Sequence, residues 1–173
     1  ALGLTTKLPR LVCCQAEHAS PLYQAFARAR AAGRMVTEED YAPVTARATL
    51  ASAIQIGAPV SLPKAIRGLQ ACDGMVEQAS ETELADAAAM GDRTGMFNCP
   101  HTGVALACLI KLVKAGVIGR HERVVVVSTA HGLKFTEFKA RYHEGQLGSA
   151  AYANRPVQVP ADPEQALGAL HRI

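Results

Sequence analysis

The sequence contains the stretch Val124-Val125-Val126-Val127-Ser128-Thr129-Ala130-His131-Gly132-Leu133-Lys134-Phe135. Four successive valines with no polar alternation predict a strand buried on both faces, as in a parallel sheet between helices. Ser128 and Thr129 follow at the carboxyl end of this strand, which is where open parallel sheets bind their ligands. The alternative is a core strand that ends in an ordinary turn.

Signals for strands and helices alternate along the rest of the chain. Ser20-Pro21 predicts a capped helix start, and Ser80-Glu81-Thr82-Glu83 is a capping box. Short apolar strands are predicted at residues 11–14 and 74–77, and residues 94–97 form a short strand or extended link. Helices are predicted at residues 21–33, 63–72, 81–93, 102–114, 135–143 and 163–171. This alternation predicts an α/β fold with a mostly parallel sheet flanked by helices.

Composition limits the class of protein. The chain has 173 residues, of which 49% are hydrophobic, and this predicts one domain over residues 1–173. Its net charge is +3 with both signs mixed, and no basic block accompanies an aromatic platform, so we expect no nucleic-acid partner. No apolar stretch is long enough to span a bilayer, so we expect no membrane partner.

Cysteine usage argues against a disulfide scaffold and against a metal site. The five cysteines have irregular spacing, which favours reduced thiols. Cys99-Pro100-His101 brings two candidate zinc ligands together, but further ligands at zinc-site spacing are lacking, so no metal is predicted.

Two further segments are candidates for chemistry. Residues 48–61 are small and nearly uncharged, which allows close backbone approach to a bound group or simply tight packing. Residues 99–106 begin a helix with a proline and a hydroxyl, and helix N-termini suit anions. The alternative is an ordinary capped helix. His101 is a candidate proton carrier or a structural histidine.

These three segments resemble plant-type threonine synthase. The family's closing motif is similar to residues 128–136, and its small-residue motif is similar to residues 51–57 with Pro59-Val60-Ser61. A third motif resembles Gly95-Met96-Phe97 with residues 100–106. Residues 10–23 and 156–159 also resemble the family, so the resemblance extends over nearly the whole chain in order.

The resemblance implies part of the large domain of a fold-type II enzyme that depends on pyridoxal 5'-phosphate. Such enzymes convert O-phosphohomoserine and water to threonine and phosphate. Thr129 matches the hydroxyl residue that meets the pyridine nitrogen of the cofactor, and Ser128 is the alternative for that role. Ala53 and its neighbours are expected to line the edge of the cofactor through their backbone.

Other features of the family have no match here. The lysine that binds the cofactor, the glycine-rich loop that holds its phosphate and the S-adenosylmethionine activator site are expected upstream. No catalytic residue is therefore assigned, and the chain, which begins at Ala1, is expected to be the carboxyl-terminal portion of a longer enzyme. The family implies a homodimer, in the chloroplast stroma of a plant or alga or otherwise in the cytoplasm.

Two alternatives to threonine synthase stay open. One is a truncated, non-catalytic relic or interaction fragment. The other is a different fold-type II lyase, such as a deaminase, although the run from Thr129 to Phe135 favours the synthase.

Overall fold

The computed structural model describes Gly3 and residues 6–148, 150–159 and 161–171 of the chain. In these residues two strands and six α-helices follow one another in the order β1-α1-α2-β2-α3-α4-α5-α6. The strands are β1 (Val12–Ala16) and β2 (Met75–Ala79). The helices are α1 (Pro21–Ala31), α2 (Leu62–Ala71), α3 (Glu81–Asp92), α4 (Pro100–Lys114), α5 (Thr136–His143) and α6 (Pro163–Leu170).

The two strands form a parallel sheet with helices on both faces. Val12 lies opposite Met75, and Ala16 lies opposite Ala79. Successive side chains of a strand point to opposite faces. Accordingly, Cys13 packs against the core formed by α1 and α2, whereas Cys14 packs against the core formed by α3, α4 and α5. The predicted α/β class with a parallel sheet is therefore confirmed.

The helix starts show which cap predictions hold. Ser80 Oγ accepts a hydrogen bond from the Glu83 amide at 3.3 Å, and Glu83 Oε2 accepts one from the Ser80 amide at 2.8 Å. The predicted capping box is thus confirmed. Pro21 does begin α1, but Ser20 donates its hydroxyl to the Glu17 carbonyl at 3.2 Å and does not cap the helix.

Helices α3 and α4 pack closely because a glycine lies between them. A Cβ atom at Gly103 would lie 2.4 Å from the backbone oxygen of Leu84 and 3.0 Å from the Cβ of Ala88. Only a residue without a side chain fits this contact. The close packing fixes the N-terminal end of α4 relative to the sheet.

The valine stretch departs from its prediction. Residues 124–127 are not in a strand, and Val125 and Val127 are 89% and 71% exposed. The prediction of a strand buried on both faces is therefore wrong for this structure. In the described part of the chain the sheet consists of β1 and β2 alone. Among the described residues, no strand lies beside residues 124–127 to complete a hydrogen-bonded ladder, and no two layers enclose the valines.

No helix among the described residues has both the length and the apolar character needed to cross a bilayer.

Candidate functional site

The N-terminal end of α4 is the centre of the candidate site. Cys99 is the N-cap residue, and its Sγ accepts a hydrogen bond from the Thr102 amide at 3.4 Å. Pro100 occupies the first turn, where its missing amide proton costs nothing. The helix therefore begins at Pro100, two residues before the predicted start. Cys99 and Thr102 are both buried beneath the surface at this end.

The segment that follows the valines lies against this helix end. The hydroxyls of Thr102 and Ser128 are 3.3 Å apart, and the Thr129 amide donates to Thr102 Oγ1 at 3.4 Å. Thr129 Oγ1 lies 3.7 Å from Cys99 Sγ. Ser128 and Thr129 are exposed, whereas their partners are buried. The two predicted hydroxyl residues thus lie on the surface above a buried hydroxyl and a buried thiol.

The small-residue segment reaches the same helix end through a histidine. Ala53 lies in the 3-10 turn Ser52–Ile54, and its amide donates to His101 Nε2 at 3.0 Å. Burial lowers the pKa of His101, which favours the neutral ring. Because Nε2 accepts this hydrogen bond, the ring proton of the neutral form is on Nδ1. Phe135 packs edge-on against the imidazole, with ring centroids 5.1 Å apart.

A loop before α4 holds the residues after Thr129 in place. Asn98 and His131 form an antiparallel bridge, and the Gly132 amide donates to the Phe97 carbonyl at 2.7 Å. A Cβ at Gly132 would lie 2.8 Å from the Phe97 ring, so this approach requires glycine. Asp92 in turn accepts a hydrogen bond from the Asn98 amide at 2.7 Å. The loop therefore connects the end of α3 to residues 131–132.

Hydrogen bonds lower the pKa of the buried Cys99 thiol. Burial acts to raise the pKa of Cys99, but hydrogen bonds from the Thr102 hydroxyl and amide lower it. The side-chain contact with Thr129 and the hydrogen bond from the Ala130 amide lower it as well. The net result is a pKa below the ordinary value for cysteine. The site is nonetheless built from groups that carry no fixed charge.

The described residues contain no group of three or more histidine, cysteine, aspartate or glutamate side chains arranged to hold a metal. In the Cys99-Pro100-His101 pair, Cys99 Sγ is the helix cap and His101 Nε2 accepts from Ala53. Both candidate ligands therefore have other partners. All five cysteines are free thiols.

Comparison with known proteins identifies the family. Residues 1–130 match the family described as "Pyridoxal-phosphate dependent enzyme". The chain belongs to this family. It is 52% identical over 162 residues to "Threonine synthase 2, chloroplastic" of Arabidopsis thaliana, covering 92% of this chain and 30% of that protein.

Microbial relatives show the same pattern of partial coverage. The chain is 34% identical to "Threonine synthase" of Methanocaldococcus jannaschii, over 82% of this chain and 33% of that protein. It is also 34% identical to "Threonine synthase" of Mycobacterium tuberculosis, over 77% of this chain and 33% of that protein. The chain therefore spans about a third of the length of the curated relatives that it matches.

The donor set at the site fits the ring edge of pyridoxal phosphate. The hydrogen bonds of Ser128 and Thr129 involve hydroxyls, a thiol and a backbone amide, with no carboxylate among them. A hydroxyl donates to a ring nitrogen without giving up its proton, because its own pKa is far too high. Thr129 and Ser128 are thus chemically suited to that edge of the cofactor.

Three lysines, Lys111, Lys134 and Lys139, have positions or partners away from the two hydroxyl residues. Lys111 bonds the Gln78 carbonyl at 2.7 Å and lies 3.4 Å from Glu77, and Lys139 is paired with Asp92. Lys134 is exposed in the 3-10 turn Gly132–Phe135, which follows the hydroxyl residues. None of them is among the hydrogen-bond partners of Ser128 and Thr129.

The sequence predicted the three segments that meet at this site, residues 48–61, 99–106 and 124–135, but not the hydrogen bonds between them. It placed Ser128, Thr129 and Ala53 at the site, and the structure brings all three to one end of α4. It made Cys99 a candidate zinc ligand and the Thr102 hydroxyl part of a helix start, but it did not predict their contacts with Thr129 and Ser128. The spacing of these two residues, three apart at a helix start, was the available signal.

Proposed function

We propose that this chain is part of a threonine synthase, which converts O-phosphohomoserine and water to threonine and phosphate. The observation that carries the proposal is that three separate segments converge on one helix end. The proposal is supported by similarity to threonine synthases over most of the chain. In the reaction, phosphate leaves the γ carbon of the substrate and water adds at the β carbon.

The chain's part in this reaction is to hold one edge of the cofactor. Pyridoxal phosphate, when bound, supplies an electron sink that lets protons leave the α and β carbons of the substrate. Thr129 would donate its hydroxyl to the pyridine nitrogen, and Ser128 would be the alternative donor. Ala53, whose amide donates to His101, would line the edge of the cofactor with its backbone.

The rest of the enzyme supplies what these residues lack. Because the relatives are about three times longer than this chain, we place the cofactor lysine and the glycine-rich phosphate loop in the other two thirds. The same portion supplies strands beside residues 124–127, which have the composition of a buried strand. The S-adenosylmethionine activator site also belongs there. The complete enzyme is a homodimer. Its location is the plastid if it comes from a plant or alga, in line with the chloroplastic Arabidopsis relative, and the cytoplasm otherwise.

The test is turnover by the complete enzyme. Incubation with O-phosphohomoserine should release threonine and inorganic phosphate in equal amounts. Release of ammonia and a 2-oxo acid from threonine or serine would instead indicate the deaminase, and no turnover of either substrate would indicate a relic.

Substitution of the key hydroxyl connects the activity to this site. Thr129→Val should lower kcat roughly tenfold, the order expected when one hydrogen bond to the cofactor is lost. Thr45→Val, at an exposed position in the loop between α1 and α2, is the matched control and should leave kcat unchanged. Equal kcat values for the two variants would contradict the role of Thr129.

A further inference from the structure

The buried thiol of Cys99 lies beneath Thr129 among several hydrogen-bonding neighbours. Cys99 Sγ accepts hydrogen bonds from the Thr102 amide at 3.4 Å and from the Ala130 amide. It also lies 3.7 Å from Thr129 Oγ1. Cys99 has no exposed surface, so bulk water cannot form hydrogen bonds with its thiol. Its interactions are confined to these neighbours and to the Thr102 hydroxyl at 3.2 Å.

Counting donors and acceptors gives the direction of each bond. A thiol has one proton and is a weak acceptor. Two amides already donate to the sulfur of Cys99, so its contact with Thr129 is best made with its own proton. A hydroxyl has one proton and two lone pairs. In the network that uses every contact, Thr102 Oγ1 accepts from the Thr129 amide at 3.4 Å and from the Ser128 hydroxyl at 3.3 Å, and it donates its own proton to Cys99 Sγ at 3.2 Å. In this network the thiol proton is left for Thr129 Oγ1, which accepts on its buried side, and the Thr129 proton is left to point outward.

We propose that Cys99 is a positioning residue, which donates its thiol proton to Thr129 Oγ1 and so directs the Thr129 hydroxyl toward the pyridine nitrogen of the cofactor. The inference rests on the proposed function, since it requires the cofactor ring above Thr129. Cys99 itself does not touch the cofactor. Thr102 supports the arrangement by holding the backbone of Thr129.

The experiment uses the complete enzyme loaded with pyridoxal phosphate and reads the absorption spectrum of the bound cofactor. Cys99→Ala removes the thiol donor, and Cys99→Val does so while filling more of the space, which carries the test if the alanine variant fails to fold. Cys99→Ser keeps a donor at this position. Cys72→Ala, at the C-terminal end of α2, is the matched control.

The alanine and valine variants should shift the spectrum in the same direction as Thr129→Val and weaken cofactor binding roughly fivefold, as expected for one neutral hydrogen bond. The serine and Cys72 variants should keep the wild-type spectrum. In a Thr129→Val background, removing the thiol should cause no further shift.

Failure of this inference and failure of the proposed function give different results. If Thr129→Val shifts the spectrum but Cys99→Ala and Cys99→Val do not, the positioning role is refuted and the proposed function stands. If serine shifts the spectrum as much as alanine does, loss of packing rather than loss of the donor is responsible, and the positioning role is again refuted. If Thr129→Val leaves the spectrum unchanged, the placement of Thr129 at the ring is itself wrong.

Discussion

The ion pair between Lys139 and Asp92 offers the sharpest test of how the site is held together. Lys139 is 6% exposed, and its ammonium is paired with Asp92 Oδ2. The same ammonium lies 5.0 Å from the centroid of the Phe97 ring. Asp92 also accepts a hydrogen bond from the Asn98 amide, in the loop that binds residues 131–132. The pair thus connects α5 to the loop that positions the segment carrying Thr129.

Lys139→Met keeps the length of the side chain and removes its charge. Asp92, whose side chain is 14% exposed, is then left as a largely buried carboxylate that accepts from the Asn98 amide and side chain. Breaking a buried pair in this way costs about 3–5 kcal/mol. We expect the lower end, about 3 kcal/mol, because hydrogen bonds from Asn98 still stabilise the remaining charge.

The free energy of unfolding is measured by urea titration followed by far-ultraviolet circular dichroism at neutral pH. Arg141→Met is the control, since the Arg141–Glu137 pair is exposed and should be worth at most about 1 kcal/mol. Adding Asp92→Asn to Lys139→Met removes the unpaired charge and should recover about half of the loss or more. A Lys139→Met variant no less stable than Arg141→Met would refute this reasoning.

Three further predictions test packing, pH dependence and the isolated chain. Gly103→Ala should destabilise the protein by about 2–3 kcal/mol through overlap with the Leu84 carbonyl, whereas Gly68→Ala, with open space in α2, should stabilise it by about 0.5–1 kcal/mol; urea midpoints distinguish the two. Hydrogen bonds from Arg34 hold the pKa of Asp40 well below its usual range, so the stability contributed by Asp40 is complete above a pH of about 4 and is lost as the pH falls further. In the Asp40→Asn variant, the urea midpoint should depend less on pH in that acid range. A variant with the same pH dependence as the wild type would contradict the role of Asp40. The 173-residue chain alone should bind pyridoxal phosphate weakly and lack activity; a stable cofactor adduct on one of its lysines after borohydride treatment would contradict this.

Features set by neighbouring residues were predictable from the sequence. The capping box of Ser80 and Glu83 depends on two residues three positions apart, and the structure contains both of its hydrogen bonds. Gly116 ends α4 as predicted, with a φ of +71° that favours glycine. Both signals lie within one helical turn, so no knowledge of the rest of the fold is needed to interpret them.

Features set by distant residues were not predictable in the same way. Whether residues 124–127 form a buried strand depends on which strands lie beside them, and valine content says nothing about that. The hydrogen bond from Ala53 to His101 joins positions 48 residues apart. Sequence reasoning placed both residues in candidate motifs, but only the packing of α4 brings them together. The contact between Cys99 and Thr129 is hidden for the same reason, since 30 residues separate them.

The central claim is that the Thr129 hydroxyl faces the aromatic nitrogen of pyridoxal phosphate. An experimental structure of the complete enzyme with the cofactor bound measures the distance from Thr129 Oγ1 to that nitrogen directly. We predict a hydrogen bond of about 2.7–3.2 Å. A cofactor ring nitrogen out of hydrogen-bonding reach of both Thr129 and Ser128 would contradict the claim.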